Sequence, residues 1–217
     1  MPPRTRFRGP GRPPANEARD RVGDIVDAAR ARFADDGFGG ASLSAIAADA
    51  GLSLAALYHY FPDKNTLFER VYLDTLELGW EPWIRELEEL DPAMDLAGKL
   101  RSTHSPAADP DEVKAAFFTP AQVHARRVPE LRHLLVDRDA YRHRAFKLLI
   151  GSLAEEGRIR NAHTTEEAVN LLEVIHSGWV FESAFHPERV KQHFASLLAI
   201  VEGLTVDGGE LPKQGAR

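Results

Sequence analysis

Apolar residues recur at helical spacing along almost the whole chain, and no apolar–polar alternation of strand type competes with them. Val22, Ile25, Val26, Ala29 and Phe33 share one face of a helix starting near Asn16, with Gly37 placed to end it as a left-handed cap. Ser42 can cap a short second helix that buries Leu43, Ile46 and Ala47 and stops at Gly51. Ser53 can cap a third, with the sequence LAALYHYF, which Pro62 breaks. Asp63 caps a fourth, whose apolar residues Leu67, Phe68, Val71, Tyr72 and Leu76 lead to Gly79. Beyond WEPW the spacing predicts helices over about 91–104, 110–127, 130–156, 165–185 and 187–204, with a kink at Pro120. Asp91-Pro92 and Asp109-Pro110 offer a capping carboxylate before proline, while Asp109 with Glu112 and Thr164 with Glu167 match capping boxes. The expected fold is all-α, with about nine helices.

Composition narrows the chemistry. The chain has 217 residues and no cysteine, which removes disulfides, thiolate metal sites and a cysteine nucleophile. No apolar run approaches the roughly 20 residues of a membrane helix, and the basic start lacks the apolar stretch of a signal peptide. A soluble cytoplasmic protein is therefore expected. The net charge of −6 speaks against general nucleic-acid affinity, but residues 1–65 hold 9 Lys and Arg against 8 Asp and Glu. A basic end on an acidic body suits a chain with one end on phosphates and the other on something else.

The most informative block is Ser42 to Lys64, SLSAIAADAGLSLAALYHYFPDK. Two short helices joined by a tight Ala-Gly-Leu-Ser turn make a helix-turn-helix, in which small Ala47 and Gly51 allow close approach and Leu57 packs inward. Such a unit presents the N-terminal half of its second helix to the DNA major groove. Ser42 and Ser53 sit at helix N-termini, where hydroxyls and amides can meet phosphates as well as cap the helix. His59 projects outward toward a base edge or a phosphate, whereas Tyr60 and Phe61 read as core.

These residues resemble the tetracycline-repressor (TetR-like) family of transcriptional regulators. The likeness runs through the Ile25–Phe33 helix, the IAADAGLS turn, the LYHYF segment and Lys64, about 60 residues in all. It implies that Tyr58 and Lys64, flanking the recognition helix, contact the DNA backbone. The family commonly has glycine and then a small polar residue before LY, where this chain has Leu54, Ala55 and Ala56. Those side chains can meet thymine methyls but cannot donate to guanine, so base reading would lean on Ser44, His59 and the N-terminal arm. That arm, residues 1–16, carries Arg4, Arg6, Arg8 and Arg12 around a Gly-Arg-Pro core. It reads either as a disordered solubilising tail or as a minor-groove or phosphate contact.

The expected organisation is a basic arm over 1–16, a DNA-binding domain over 17–79 with its motif at about 42–61, an effector-binding and dimerisation domain over 80–204, and a tail over 205–217. Leu171, Leu172, Ile175, Gly178 and Trp179, then Val190, Phe194, Leu197, Leu198, Val201 and Leu204, recur on the last two helices. They either join two subunits in a four-helix bundle, as in the resembled family, or bury within one subunit. Trp80, Trp83, Phe117, Phe118, Tyr141, Phe146, His176 and Trp179 are candidates for an apolar effector pocket or for plain core. Arg101, His124 and Glu173 are its candidate polar groups. The nine histidines lack i,i+4 pairing, so no metal or other cofactor is expected. No phosphate loop, GxSxG elbow or convergent carboxylate pair points to an enzyme.

The resemblance implies a homodimeric repressor on a palindromic operator, released by a largely apolar or aromatic small molecule. In that case it works in the cytoplasm, on the bacterial nucleoid when bound to DNA. The alternative is an architectural DNA-binding protein without an effector, which predicts salt-dominated binding and little sequence preference.

Overall fold

The computed structural model describes residues 15–103, 112–160 and 164–205. Those residues form nine α-helices: α1 (Ala15–Gly40), α2 (Leu43–Asp49), α3 (Leu54–Tyr60), α4 (Lys64–Glu89), α5 (Leu96–Ser102), α6 (Glu112–Arg127), α7 (His133–Glu155), α8 (Thr165–Phe185) and α9 (Val190–Leu204). Short 3-10 turns at Pro129–Leu131 and Pro187–Arg189 lead into α7 and α9. No strand occurs among the described residues; one antiparallel bridge, Ile159 to Thr205, fastens the segment after α7 to the end of α9.

The caps explain most of the boundaries. Ser42 accepts from Ala45 N at 3.4 Å, Ser53 from Ala56 N at 3.2 Å and Asp63 from Thr66 N at 2.8 Å. Gly37 interrupts α1 with φ 67° and ψ 171°, a conformation that costs a side-chain-bearing residue dearly. The capping box before α8 is complete: Glu167 N donates to Thr164 Oγ1 at 3.1 Å, and Thr164 N to Glu167 Oε2 at 3.2 Å.

Two boundaries differ from expectation. α4 does not end at Gly79 but runs on through Pro82 to Glu89. Its apolar face continues as Trp80, Trp83, Ile84 and Leu87, all buried, and this burial offsets the roughly 1 kcal/mol and 3 kcal/mol that glycine and proline cost inside a helix. α5 starts at Leu96 instead of Asp91, because Asp95 supplies the cap through Gly98 N at 2.6 Å. Asp91 instead closes a turn by accepting from Ala93 N at 2.9 Å. α6 runs through Pro120, while Asp109-Pro110 lies outside the described residues, as do the arm and the tail beyond Thr205.

α1 packs against α4 and α6, and α7 lies between α4 and α8. Arg30 ties α1 to α4 from inside the core: its Nε donates to Thr75 Oγ1 at 3.0 Å, and its terminal nitrogens pair with Asp27 at 2.5 Å and with Asp74. On the surface, Arg32 Nε meets Asp49 Oδ2 at 2.5 Å and holds α2 against α1. The Arg32–Asp49 pair thus fastens the first helix of the helix-turn-helix to α1, while Arg30 fixes α1 to α4.

Candidate functional site

α2 and α3 are joined by a turn whose backbone bonds leave little freedom. Leu52 N donates to Ala47 O at 2.8 Å and Gly51 N to Ala48 O at 3.0 Å, with Gly51 at φ 68°. Leu57 is fully buried and Phe61 nearly so, which fixes the rotation of α3. The opposite face is therefore outward: Ser53, Leu54, Ala55, Tyr58 and His59 are exposed, with Ala56 half-buried at its edge. Ser42 and Ser44 are exposed at the start of α2. Tyr60 and Phe61 pack with the core, as their apolar character suggests.

Lys64, the first residue of α4, is half-buried, and its ammonium stands 4.6 Å from the centre of the Phe38 ring. Burial lowers its pKa below the ordinary lysine value. No described carboxylate pairs with it, so its charge remains directed by the aromatic ring beside the recognition helix. On Phe38 also stacks His124 of α6, with ring centres 3.8 Å apart. Arg4, Arg6, Arg8 and Arg12 lie outside the described residues.

The structure divides the aromatic residues expected to share one pocket. Phe117, Phe118 and His124 belong to a first cluster with Phe33, Phe38, Phe68 and Tyr72, where α6 meets α1 and α4. Trp80, Trp83, Phe146, His176 and Trp179 form a second, with ring centres 5.3 to 6.1 Å apart, between α4, α7 and α8. Tyr141 is half-buried and in neither ring set; burial and the nearby Glu81 raise its phenol pKa. Trp83 Nε1 donates to Thr103 Oγ1 at 2.8 Å, which commits it to the structure. Arg101 is exposed and paired with Glu202 of α9. Glu173 is largely buried and accepts from Arg142 at 3.1 Å.

The second cluster includes polar groups that spacing alone did not single out. Arg138 and Arg142 stand one turn apart on α7, and burial lowers the pKa of Arg138. His176 is pushed down to about 3 by burial first, then by Arg142 and Arg138, so it is neutral at pH 7. These arginines read in the sequence as part of a charged helix face; only their packing under α8 separates them from surface charges.

On the last two helices, the residues expected either at a subunit interface or within one subunit divide between the core and its edge. Leu172, Trp179 and Leu197 are turned into the chain's own core, and Leu171, Ile175, Phe194, Leu198 and Leu204 are partly buried at its edge. Gly178 is exposed; the side chains of Val190 and Val201 lie outside the description. The residues most exposed are Val174, Phe181 and Phe185 on α8 and Ile200 on α9. They were missed because apolar residues are spread around α8, with Glu173, His176, Ser177 and Glu182 among them, so its sequence does not say which stripe faces inward. Among the described residues no three His, Asp or Glu side chains converge as metal ligands, and no helix is long and apolar enough to cross a membrane.

Residues 25–71 match the family model of bacterial regulatory proteins, tetR family. The matched stretch runs from within α1 into α4 and includes the whole helix-turn-helix, the segment on which the sequence resemblance rests. Solved structures share the fold over most of the chain. SmeT, the repressor of the Stenotrophomonas maltophilia multidrug efflux pump SmeDEF, is 20% identical with a TM-score of 0.62, over 90% of this chain and 96% of its own. A TetR transcription regulator from Haloarcula marismortui is 18% identical with a TM-score of 0.69, over 87% and 100%. A protein from Saccharomonospora viridis, solved in complex with choline, is 17% identical with a TM-score of 0.69, over 88% and 100%. No curated protein matches.

Proposed function

We propose that the protein is a homodimeric repressor that acts in the cytoplasm on a palindromic operator and is released by a small-molecule effector. The observation that carries the reading is the division of α3: Leu57 and Phe61 anchor it, while Leu54, Ala55, Tyr58 and His59 stand free at the rim of a TetR-type helix-turn-helix. Leu54 and Ala55 offer methyl contacts to thymine, His59 a hydrogen bond to a base or phosphate, and Tyr58 and Lys64 backbone contacts. Ser42, Ser44, Ser53 and Ala56 line the approach. Arg4, Arg6, Arg8 and Arg12 would add a minor-groove or phosphate grip.

Dimerisation is supported by the row Val174, Gly178, Phe181 and Phe185, spaced at 4, 3 and 4 residues on α8, together with Ile200 on α9. Phe181 and Phe185 lie 4.8 Å apart and form an apolar patch that a second copy would cover. Effector control is supported by the continuity of α4. Lys64 at its start and Trp80 in the second aromatic cluster are separated by about 24 Å of unbroken helix. A ligand that binds more tightly to one placement of Trp80 thereby favours one placement of α3, and with it one spacing of the two recognition helices.

The test is fluorescence anisotropy of the protein on DNA from upstream of its own gene against a scrambled duplex, at about 150 mM salt. A preference of about a thousandfold or more supports the operator-binding repressor. Equal, salt-dominated binding to both duplexes supports the architectural alternative instead.

A further inference from the structure

α6 runs antiparallel to α4 and toward its first turn. Between ring centres, Phe118 of α6 lies 5.4 Å from Tyr72, Phe117 lies 5.8 Å from Phe68, and His124 lies 5.0 Å from Phe68. Further along, Lys64 Nζ and the His124 ring share Phe38, at 4.6 and 3.8 Å from its ring centre. α6 therefore ends beside the lysine proposed to hold the DNA backbone. A helix rises about 1.5 Å per residue, so the backbone at Arg126 and Arg127 lies about 3 to 5 Å beyond His124.

Charge at this end of α6 is unbalanced. Arg126, Arg127 and the nearby Arg132 are exposed, and none of them pairs with a carboxylate among the described residues; Arg132 Nε donates to the Arg126 carbonyl at 3.3 Å. Other surface arginines are matched: Arg32 by Asp49, Arg70 by Asp74, Arg144 by Glu88 and Arg189 by Glu188. From His124 to His133 the sequence holds one acidic residue, Glu130, and Glu69 of α4 is engaged by His133 at 3.0 Å. Asp63, next to Lys64, turns its carboxylate to the cap of α4. His124 is held below the ordinary histidine pKa by burial, then by Lys64 and Arg127. Such an excess of cations stands out on a body that, beyond residue 65, carries 18 Lys and Arg against 25 Asp and Glu.

We propose that Arg126 and Arg127, with Arg132 behind them, form a second phosphate contact on the DNA duplex that α3 reads, outside the helix-turn-helix and continuous with Lys64. The proposal rests on the DNA-binding half of the proposed function and extends its contact surface to α6. Charge complementarity selects the occupant: guanidinium forks without a carboxylate match phosphate oxygens. Contacts of this kind add affinity and carry no sequence information. The competing account is local, because cations in the last turn of a helix favour its dipole. That account needs no DNA and acts on stability alone.

The experiment measures anisotropy on the upstream and scrambled duplexes from about 50 to 200 mM salt, with the full chain and two double variants. Arg126→Gln with Arg127→Gln removes the two charges at the end of α6 and keeps good helix formers there. Arg85→Gln with Lys147→Gln removes two exposed charges elsewhere and is the control for net charge. Arg85 lies about 30 Å along α4 from Lys64, and Lys147 about 20 Å along α7 from its start. The α6 variant should flatten the salt slope by about two units per bound protomer and weaken binding about tenfold or more at 150 mM salt. Both duplexes should be affected alike, so the ratio between them is retained. The control should leave the slope in place, and neither variant should lower the melting temperature by more than a few degrees.

An unchanged slope in the α6 variant overturns the proposal, and a lowered melting temperature beside it assigns the arginines to the helix end. Equal flattening by the control pair overturns it too, since net charge would then account for the effect. The two readings fail separately. Preference for the upstream duplex with an unchanged slope sinks this proposal and leaves the repressor. Equal binding to both duplexes, with the slope lowered only by the α6 variant, sinks the repressor and leaves the phosphate contact. A chain that binds neither duplex sinks both.

Discussion

Phe181 is 53% exposed on α8, the middle of the row proposed to meet a second subunit. A phenylalanine side chain presents about 200 Å² when free, so about 105 Å² remains to be covered. At about 25 cal/mol per Å² this amounts to about 2.6 kcal/mol per protomer. A two-fold interface uses the same patch twice, giving an upper bound near 5 kcal/mol for the dimer, or more than three orders of magnitude in its dissociation constant. Phe181→Ser should thus weaken dimerisation by at least about a hundredfold, allowing for partial burial in the real contact. Sedimentation velocity across a concentration series measures this. Anisotropy on full-length and half-site duplexes should show the variant losing most of its advantage on the full palindrome. Leu172→Ala is the matched control. Leu172 is only 4% exposed, so its truncation should cost about 3 kcal/mol of fold stability and leave the dimer constant unchanged. A Phe181→Ser protein that remains dimeric at nanomolar concentration, beside a Leu172→Ala protein that dissociates, would refute the helix phase and with it the interface.

Lys64→Ala should weaken DNA binding across sequences and reduce the salt slope by about one unit, and an unchanged slope would remove its phosphate role. Asp74→Ala takes a carboxylate from the buried Arg30 and leaves it the more exposed Asp27 and the hydroxyl of Thr75. A loss of about 3 kcal/mol in denaturant unfolding is expected, with Asp74→Asn recovering part of it; a loss below about 0.5 kcal/mol would show that Asp27 suffices. His176 has a folded pKa of about 3, below the value of about 6.5 in an unfolded chain, so the unfolded state takes up the proton first. Its contribution is fully favourable above about pH 7 and is lost as pH falls from about 6.5 toward 3, by up to about 1.4 kcal/mol per unit. His176→Phe should flatten the stability profile in that window, and an unchanged profile would place the acid sensitivity elsewhere.

The helices and the outward face of α3 were legible because local chemistry dictates them. Ser42, Ser53, Asp63 and Thr164 cap where their hydroxyls and carboxylates predict, and Gly37 and Gly51 adopt the left-handed backbone that other residues avoid. In α3 the alternation of small and large side chains is so sharp that burying Leu57 leaves one possible outward face. Where local and tertiary preferences oppose each other, the sequence misleads. Gly79 and Pro82 are helix breakers by propensity, yet Trp80, Trp83, Ile84 and Leu87 behind them bury enough surface to carry α4 through.

The division of the aromatic residues was not legible for a related reason. Periodicity assigns a residue to a face of its own helix, but not to the helix across from it. Phe117 and Phe146 read alike along the chain; α6 delivers one to Phe33 and Phe68, and α7 delivers the other to Trp80 and Trp83. The same limit hid Arg138 and Arg142, whose significance lies in the partners α8 places around them. A charged residue next to an apolar face is ordinary in an amphipathic helix. Packing decides otherwise here: Glu173 and Ser177 take up part of the hydrogen-bonding capacity of Arg142 and leave its Nε buried without a partner.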